Sequence, residues 1–596
     1  MKQTVSSCVT RLVLWTGGAL LAGLAIGPAM GQTLPPPPVP AENPMTEEKR
    51  VLGKILFWDE QMSATNSMAC GTCHIPSASG SDQRELRGPG ADLAFETPDD
   101  VFASPGVPRM DAAKNYEVEP NFGVGVQATP RTAPTMINAA YAANLFWDGR
   151  AIGEFTDPQT GQVEIVSGGA LESQAVGPPL STREMAHPER DWDMITAKLT
   201  DAKPLALATN IPADMQAAID ADPTYPELFE AAFGDGTVTS KRIAFAIATY
   251  ERTLISDQAP WDLWVSGDDG AMTANQIQGW DAFQASTCSQ CHEAPLFTDN
   301  EFHNVGTRAV SEDAGREGIT GLFGDRGKFK TSTLRNMGLK VSFLHTGELT
   351  TMDEIFQFYQ APLHFDNLSN LMPVIVPPPD RGPMTDFLMN ALTDPRVANE
   401  EFPFDRPTLR SELAANPAVI GMGTPDGTGA VPELAVHTPP LAGTSEFRIG
   451  VTNVPDGATV TLLISDTAPV GGVLTPTETV GPLTAAFGDG VAPVATAHWT
   501  VPSDESLDGS DIYFQWLVEG TSARSRTARA TIFCGTGGCD VACPGDINDD
   551  GTVDGGDFFA WVNAFSNQTP ACDVNNDEAC DGGDFFAWVN AFSNGC

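Results

Sequence analysis

Cys70-Gly71-Thr72-Cys73-His74 and Cys288-Ser289-Gln290-Cys291-His292 are two copies of one pattern, Cys-x-x-Cys-His. In that pattern the two thiols form thioethers with the vinyl groups of one haem, and the adjacent histidine is held beneath the iron as its proximal ligand. A zinc half-site would need two further Cys or His ligands close by, and neither copy has them. A thioredoxin-like redox pair places no requirement on the residue after the second cysteine. The chain therefore reads as a carrier of two covalently bound c-type haems. Cys70, Cys73, Cys288 and Cys291 are the attachment points, and His74 and His292 are the iron ligands.

The 596 residues suffice for roughly three or four domains. Residues 1–31 read as a signal peptide: Lys2 and Arg11 are basic, residues 12–26 are apolar, and Ala29-Met30-Gly31 supplies small residues for cleavage. A retained N-terminal anchor is the other reading of that run. Export, to the periplasm or the cell surface, agrees with c-type haem attachment outside the cytoplasmic membrane. Cys8 lies in the signal and four cysteines hold haem. The other six (Cys534, Cys539, Cys543, Cys572, Cys580, Cys596) cluster at the C-terminal end, as disulfides of an exported tail would. A formal charge of −44 excludes nucleic acid as a partner and suits a basic electron-donor protein or, equally, a solvated acidic surface.

Residues 32–45 form a Pro-rich leader, with Pro35–Pro38 and Pro40 stiff and extended. Two mainly helical domains follow, residues 46–268 and 269–416, one for each haem motif. Residues 46–57 and 241–254 carry apolar residues at helical spacing, and 88–134 and 157–179 read as long loops rich in Pro and Gly. Between 417 and 534 short alternating runs, such as 446–451, 459–464 and 513–518, predict an antiparallel β-sandwich that serves as a spacer or adhesion module.

Residues 540–596 contain a perfect repeat: 554–567 and 581–594 both read DGGDFFAWVNAFSN. Asp546, Asn548, Asp550, Thr552, Asp554 and Asp557 occupy the ligand positions of a calcium loop. Asp573, Asn575, Asp577, Ala579, Asp581 and Asp584 do so in the second copy. Gly551 fills the sharp-turn position of the first loop and Glu578 replaces it in the second, which predicts a weaker second site. One helix after each loop, with Asp at the last position, resembles a dockerin domain. That likeness implies calcium and a cohesin-like or other cell-surface partner. Phe558, Val562 and Phe565 are expected to form the buried stripe, leaving Phe559, Trp561, Phe586 and Trp588 as an aromatic face.

The first 400 residues resemble the bacterial dihaem cytochrome c peroxidases, a family that includes the MauG-type enzymes. The resemblance rests on Leu52-Gly53-Lys54-Ile55-Leu56-Phe57, Phe146-Trp147-Asp148-Gly149-Arg150-Ala151, Leu171-Glu172-Ser173-Gln174-Ala175, Glu184-Met185, Tyr250-Glu251-Arg252-Thr253-Leu254 and Phe329-Lys330-Thr331-Ser332-Thr333-Leu334-Arg335-Asn336, in family order around both haem motifs. It implies a peroxidatic haem in the first domain and an electron-transfer haem in the second. Glu184 is then the distal proton shuttle, Gln174 the amide that orients bound peroxide, and Pro178 the residue that keeps that face tight. Trp147 matches an inter-haem tryptophan; without the resemblance it is an ordinary buried aromatic.

Departures from the family pattern carry expectations too. No histidine occurs between His74 and His187, so that segment offers no cap for the first haem. Tyr359 ends the stretch that carries the distal ligand of the second haem, where peroxidases have methionine and MauG-type enzymes tyrosine. A packed aromatic is its other reading. Thr132 stands where the family has a calcium-binding asparagine. The reading favoured by the sequence is a peroxidase that reduces hydrogen peroxide to water with electrons from a small cytochrome or cupredoxin. Its rivals are a MauG-type oxidase acting on a protein or organic substrate, a non-catalytic electron-transfer cytochrome, and an adhesion protein with vestigial haems.

Overall fold

A computed structural model describes residues 34–360, 373–535 and 555–567, together with Cys572, Phe585, Trp588 and Val589. The signal segment lies outside the described residues. Three helices frame the first haem motif: α1 (Glu47–Trp58), α2 (Ala170–Ala175) and α3 (Ser240–Glu251). The Thr46 side chain caps α1 by accepting from the Lys49 amide, 3.2 Å away. Val51, Leu52, Ile55 and Leu56 then fall on one buried stripe against Ile243, Ala246 and Ile247 of α3. The two helices meet at backbone contact, because a Cβ on Gly53 would lie 1.9 Å from the Ala246 carbonyl oxygen. Arg252, just beyond α3, ties down α2: its guanidinium donates to both oxygens of Glu172 at 2.8 and 2.9 Å in a fully buried fork. Asn43 of the leader donates to the same carboxylate, so the described part of the leader is packed onto the core.

Around the second motif, α4 (Ala274–Ala285) starts in a Thr273–Gln276 capping box, and α5 (Met352–Gln360) follows further on. Trp261, Trp280, Phe283, Phe297 and Phe387 form its aromatic core. The two halves repeat one turn. Asn138 and Asn336 are both left-handed, at φ 61° and 60°; so are Phe146 and Leu344, at 64° and 65°. Leu145 bridges Ala151 as Phe343 bridges Leu349. A bulky residue at positive φ is strained and persists only where its surroundings determine it. Here the strain sets the next residue, Trp147 in one half and His345 in the other. The 88–134 stretch is less irregular than its sequence suggests, since β1 (Pro105–Pro108) and β2 (Val126–Ala128) pair antiparallel within it.

Eight further strands form separate antiparallel sheets: β3 (Ala418–Ile420), β4 (Glu433–Ala435), β5 (Phe447–Thr452), β6 (Thr459–Ser465), β7 (Glu478–Thr484), β8 (Ala495–Trp499), β9 (Asp511–Val518) and β10 (Arg524–Thr531). Their orders are β4-β5-β8 and β7-β6-β9-β10-β3. Phe447, Ile449, Leu462, Trp499, Phe514 and Trp516 from both sheets share one buried cluster. Every residue of β5 is buried, so its second face is covered as well. Cys534 and Cys572 are each disulfide-bonded. In α6 (Gly555–Asn567) the buried stripe is Asp557, Trp561 and Ala564, one residue earlier than the sequence pattern suggested. Val562 and Phe565 are on the exposed side. Trp561 offers more apolar area than Val562, and its indole N–H reaches the Cys572 carbonyl at 3.0 Å. Trp588 is likewise buried, while Phe559 remains exposed.

Candidate active site

The two proximal histidines are set alike. A carbonyl oxygen can only accept, so His74 Nδ1 donates to Gly80 O at 3.0 Å and His292 Nδ1 to Phe297 O at 3.1 Å. Each imidazole is thereby oriented with Nε2 as the lone-pair nitrogen. Burial holds both histidines below the ordinary histidine range, in the neutral form that can ligate a metal. Cys70, Cys73, Cys288 and Cys291 are free of disulfides.

Cys70, Cys73 and His74 line a cavity of about 790 Å³ whose walls also include Gln174, Pro178, Glu184, Trp147 and His345. The structure thus brings the sequence-predicted residues of the first haem region onto one cavity. Gln174 sits on α2, fixed by the Glu172–Arg252 fork. Glu184 sits in a turn wound around the Ser181 carbonyl, which accepts from the amides of Glu184, Met185 and Ala186. Arg190 donates to the carbonyls of Pro179, Met185 and Met62, holding that turn from behind. β1 holds it from the side: the Val107 amide donates to Arg183 O at 3.1 Å. Burial pushes the Glu184 carboxyl above the ordinary carboxylate range, and the Arg150 guanidinium pulls it back.

Trp147 lies where the two halves meet. Its indole N–H donates to Thr132 O at 2.8 Å, its carbonyl accepts from the Lys330 amide at 2.8 Å, and its ring is 5.9 Å from that of His345. The Thr132 hydroxyl donates to Leu344 O at 2.9 Å, so this side chain is engaged in joining the halves. His345 and Glu251, to which sequence reasoning gave no role, also line the cavity. His345 is stacked on Phe329 at 3.6 Å, and its Nε2 has no hydrogen-bond partner. Burial pushes its pKa down to about 3. Glu251 Oε2 is also buried and unpartnered, and burial pushes that carboxyl up to about 8. The signal for His345 was its match to Trp147 in the repeated turn; for Glu251 it was its place in the Tyr250–Leu254 stretch that carries the resemblance.

Two thiols, an imidazole presenting Nε2 and unpartnered polar atoms on one cavity wall suit the donor chemistry of a covalently held haem. In the second half, Tyr359 comes alongside the other motif. Burial first, then the neighbouring Cys288 and Cys291, push its phenol well up. Of the tail residues assigned to calcium, only Asp557 is described, buried at the start of α6. Asp546, Asn548, Asp550, Thr552, Asp554, Asp573, Asn575, Asp577, Ala579, Asp581 and Asp584 lie outside the described residues.

Residues 47–270 match the sequence pattern of the family described as di-haem cytochrome c peroxidase. The methylamine utilization protein MauG of Methylophilus methylotrophus is 28% identical over 327 residues, 54% of this chain and 76% of that protein. Cytochrome c551 peroxidase of Nitrosomonas europaea is 27% identical over 358 residues, 59% of this chain and 83% of that protein. A crystal structure of a MauG-like protein associated with microbial copper homeostasis overlaps 64% of this chain and 98% of its own, at 21% identity and a TM-score of 0.44. The similarity is therefore to di-haem cytochrome c peroxidases and MauG proteins, and the family match itself spans residues 47–270. Peroxidases and MauG proteins stand side by side among the relatives. Among the described residues no helix is long and apolar enough to cross a membrane.

Proposed function

We propose that the chain is an exported di-haem peroxidase that reduces hydrogen peroxide to water with electrons from a small donor protein. The observation that carries this reading is the shared cavity, where Glu184 and Gln174 face the same space as Cys70, Cys73 and His74. Bound there, haem supplies an iron centre at which the O–O bond is cleaved and electrons arrive one at a time. Cys70, Cys73 and His74 would hold one such group, and Cys288, Cys291 and His292 the other. Gln174 orients the peroxide through its amide. Glu184 takes the proton from one peroxide oxygen and returns it to the other, the departing one. Trp147 and His345, in contact at the junction of the halves, are the route for charge between them. Assay of peroxide consumption with a reduced donor cytochrome, against the chain with His74 replaced by glycine, tests the reading. Equal rates would sink it.

Glu184 must be ionised to accept a proton, so activity should fall as the pH drops through its raised pKa. Arg150 favours the ionised form. Arg150→Gln removes that pull, and the acid limb of kcat/KM against pH should move to higher pH. Arg150→Lys, which keeps the charge, should leave the limb near its wild-type position. A limb that stays put in Arg150→Gln would mean that another group controls it.

The place of Tyr359 favours a second reading, a MauG-type oxidase that directs peroxide at a protein or organic substrate. Tyr359 would hold the second haem through its phenol oxygen, and as the anion that oxygen would favour ferric iron and lower the potential. Tyr359→Phe should change the ligation of that haem and raise its potential, read by electron paramagnetic resonance and redox titration. An unaltered low-spin signal would exclude Tyr359 and turn attention to Met337, which is buried in the same core as the second motif.

A further inference from the structure

The strand-rich region reads from sequence as a spacer, yet it is docked on the wall that carries Glu184. Residues 109–124 run from β1 towards β2 and are clasped along their length by sheet β4-β5-β8 and the loop before β8. Lys114 Nζ pairs with both oxygens of Glu446 at 2.7 and 2.8 Å. The Tyr116 amide donates to Thr496 Oγ1 at 2.9 Å, and the Tyr116 hydroxyl accepts from the His437 amide at 3.1 Å. His437 Nε2 donates to Val124 O, and the Val491 amide to Val118 O, at 2.8 and 3.0 Å. Tyr116 is 1% exposed. It packs against β5, where a Cβ at Gly450 would come within 2.6 Å of its ring.

That clasp continues to Glu184. Tyr116 and Val118 share an apolar cluster with Ala435 of β4 and with Ala64, and the Ala64 amide donates to the carbonyl of Met185 at 2.8 Å. At the near end of the same segment, β1 presses on the turn: a Cβ on Gly106 would lie 1.7 Å from Arg183 O and 3.3 Å from Glu184 Cα. Gln127 of β2 completes the link by donating to the carbonyls of Val107 and Thr182, each at 3.2 Å. Glu446 acts from a second direction, since its charge favours the Arg190 guanidinium that braces Met185 and that burial disfavours.

We propose that the sheet β4-β5-β8 is a positioning element for Glu184, acting through the clasped segment 109–124 with Tyr116 as its central positioning residue. The inference rests on Glu184 being the proton-handling group. The test uses the full-length holoprotein with Gly450→Ala, which drives a methyl into the Tyr116 ring, and Tyr116→Phe, which removes only the hydroxyl. Haem content and absorption spectra are recorded first, then kcat and KM for hydrogen peroxide and the pH profile of kcat/KM. We expect Gly450→Ala to lower kcat by roughly tenfold or more with both haems attached, to change KM little and to displace the acid limb. Placed on Glu184→Gln, the same substitution should cause no further loss.

Wild-type kcat and pH profile in Gly450→Ala would overturn the inference, and so would an equal loss in the Glu184→Gln background. Should Gly450→Ala fail to fold, Tyr116→Phe and Lys114→Met carry the test, and unchanged kcat and pH profile in both would overturn it. Full turnover in Glu184→Gln by itself would remove the Glu184 reading and this inference with it. Loss in Glu184→Gln with an unmoved Gly450→Ala would remove this inference alone.

Discussion

Replacing Glu184 by glutamine is expected to lower peroxide turnover by about 10²–10⁴-fold, the contribution typical of a general acid–base group. The two side chains have nearly the same shape, so the cavity keeps its outline and only the proton acceptor is lost. The turn should survive the change. Its holding contacts are the Ser181 carbonyl, the Arg190 guanidinium and the Val107 amide, and all of them engage backbone rather than the Glu184 carboxylate. Steady-state turnover should therefore collapse while haem content and resting spectra remain close to wild type. A variant that loses haem would place Glu184 among the structural residues. A variant that turns over at the full rate would remove it from the chemistry.

What the sequence showed was what is local. The haem motifs are five residues long, and α1 and α3 announce themselves by helical spacing, with ends within a few residues of those observed. Gln174 and Glu184 were singled out only through family spacing, and the structure places both on the cavity wall; as isolated polar residues they have no pattern of their own. His345 was hidden because it becomes special through burial and through an Nε2 without a hydrogen bond, neither of which a string of residues displays. The stripe of α6 was misplaced by one residue, because equal weight was given to Val562 and Trp561 although the indole has far more surface to bury. The docking of the strands on residues 109–124 was least legible. It joins segments more than 300 residues apart through contacts such as Lys114–Glu446, and only Gly450 in mid-strand hinted at a close neighbour.

Gly106 should prove as sensitive as the residue it supports. It lies in β1 with its Cα against the Arg183–Glu184 backbone, and any β-carbon there would stand 1.7 Å from the Arg183 carbonyl oxygen. Nothing flexible can yield, because the obstructing atom is main chain and that carbonyl already accepts from the Val107 amide at 3.1 Å. Gly106→Ala must therefore push the hairpin and the Glu184 turn apart. Overpacking of this kind typically costs about 1–3 kcal/mol of stability, which a core this extensive can absorb without unfolding. The catalytic consequence is larger, since misplacing a reacting group by about 1 Å can lower the rate by about 10²-fold. We expect Gly106→Ala to retain both haems, to melt a few degrees lower and to lose about 10²-fold in kcat. In combination with Glu184→Gln it should lose nothing more, because the group it displaces is already disabled. Thermal melts and turnover of the two single variants and the double variant decide the matter. If Gly106→Ala keeps its rate, the turn is held well enough by Ser181 and Arg190 alone. If the double variant loses a further 10²-fold, Gly106 protects a different part of the cavity.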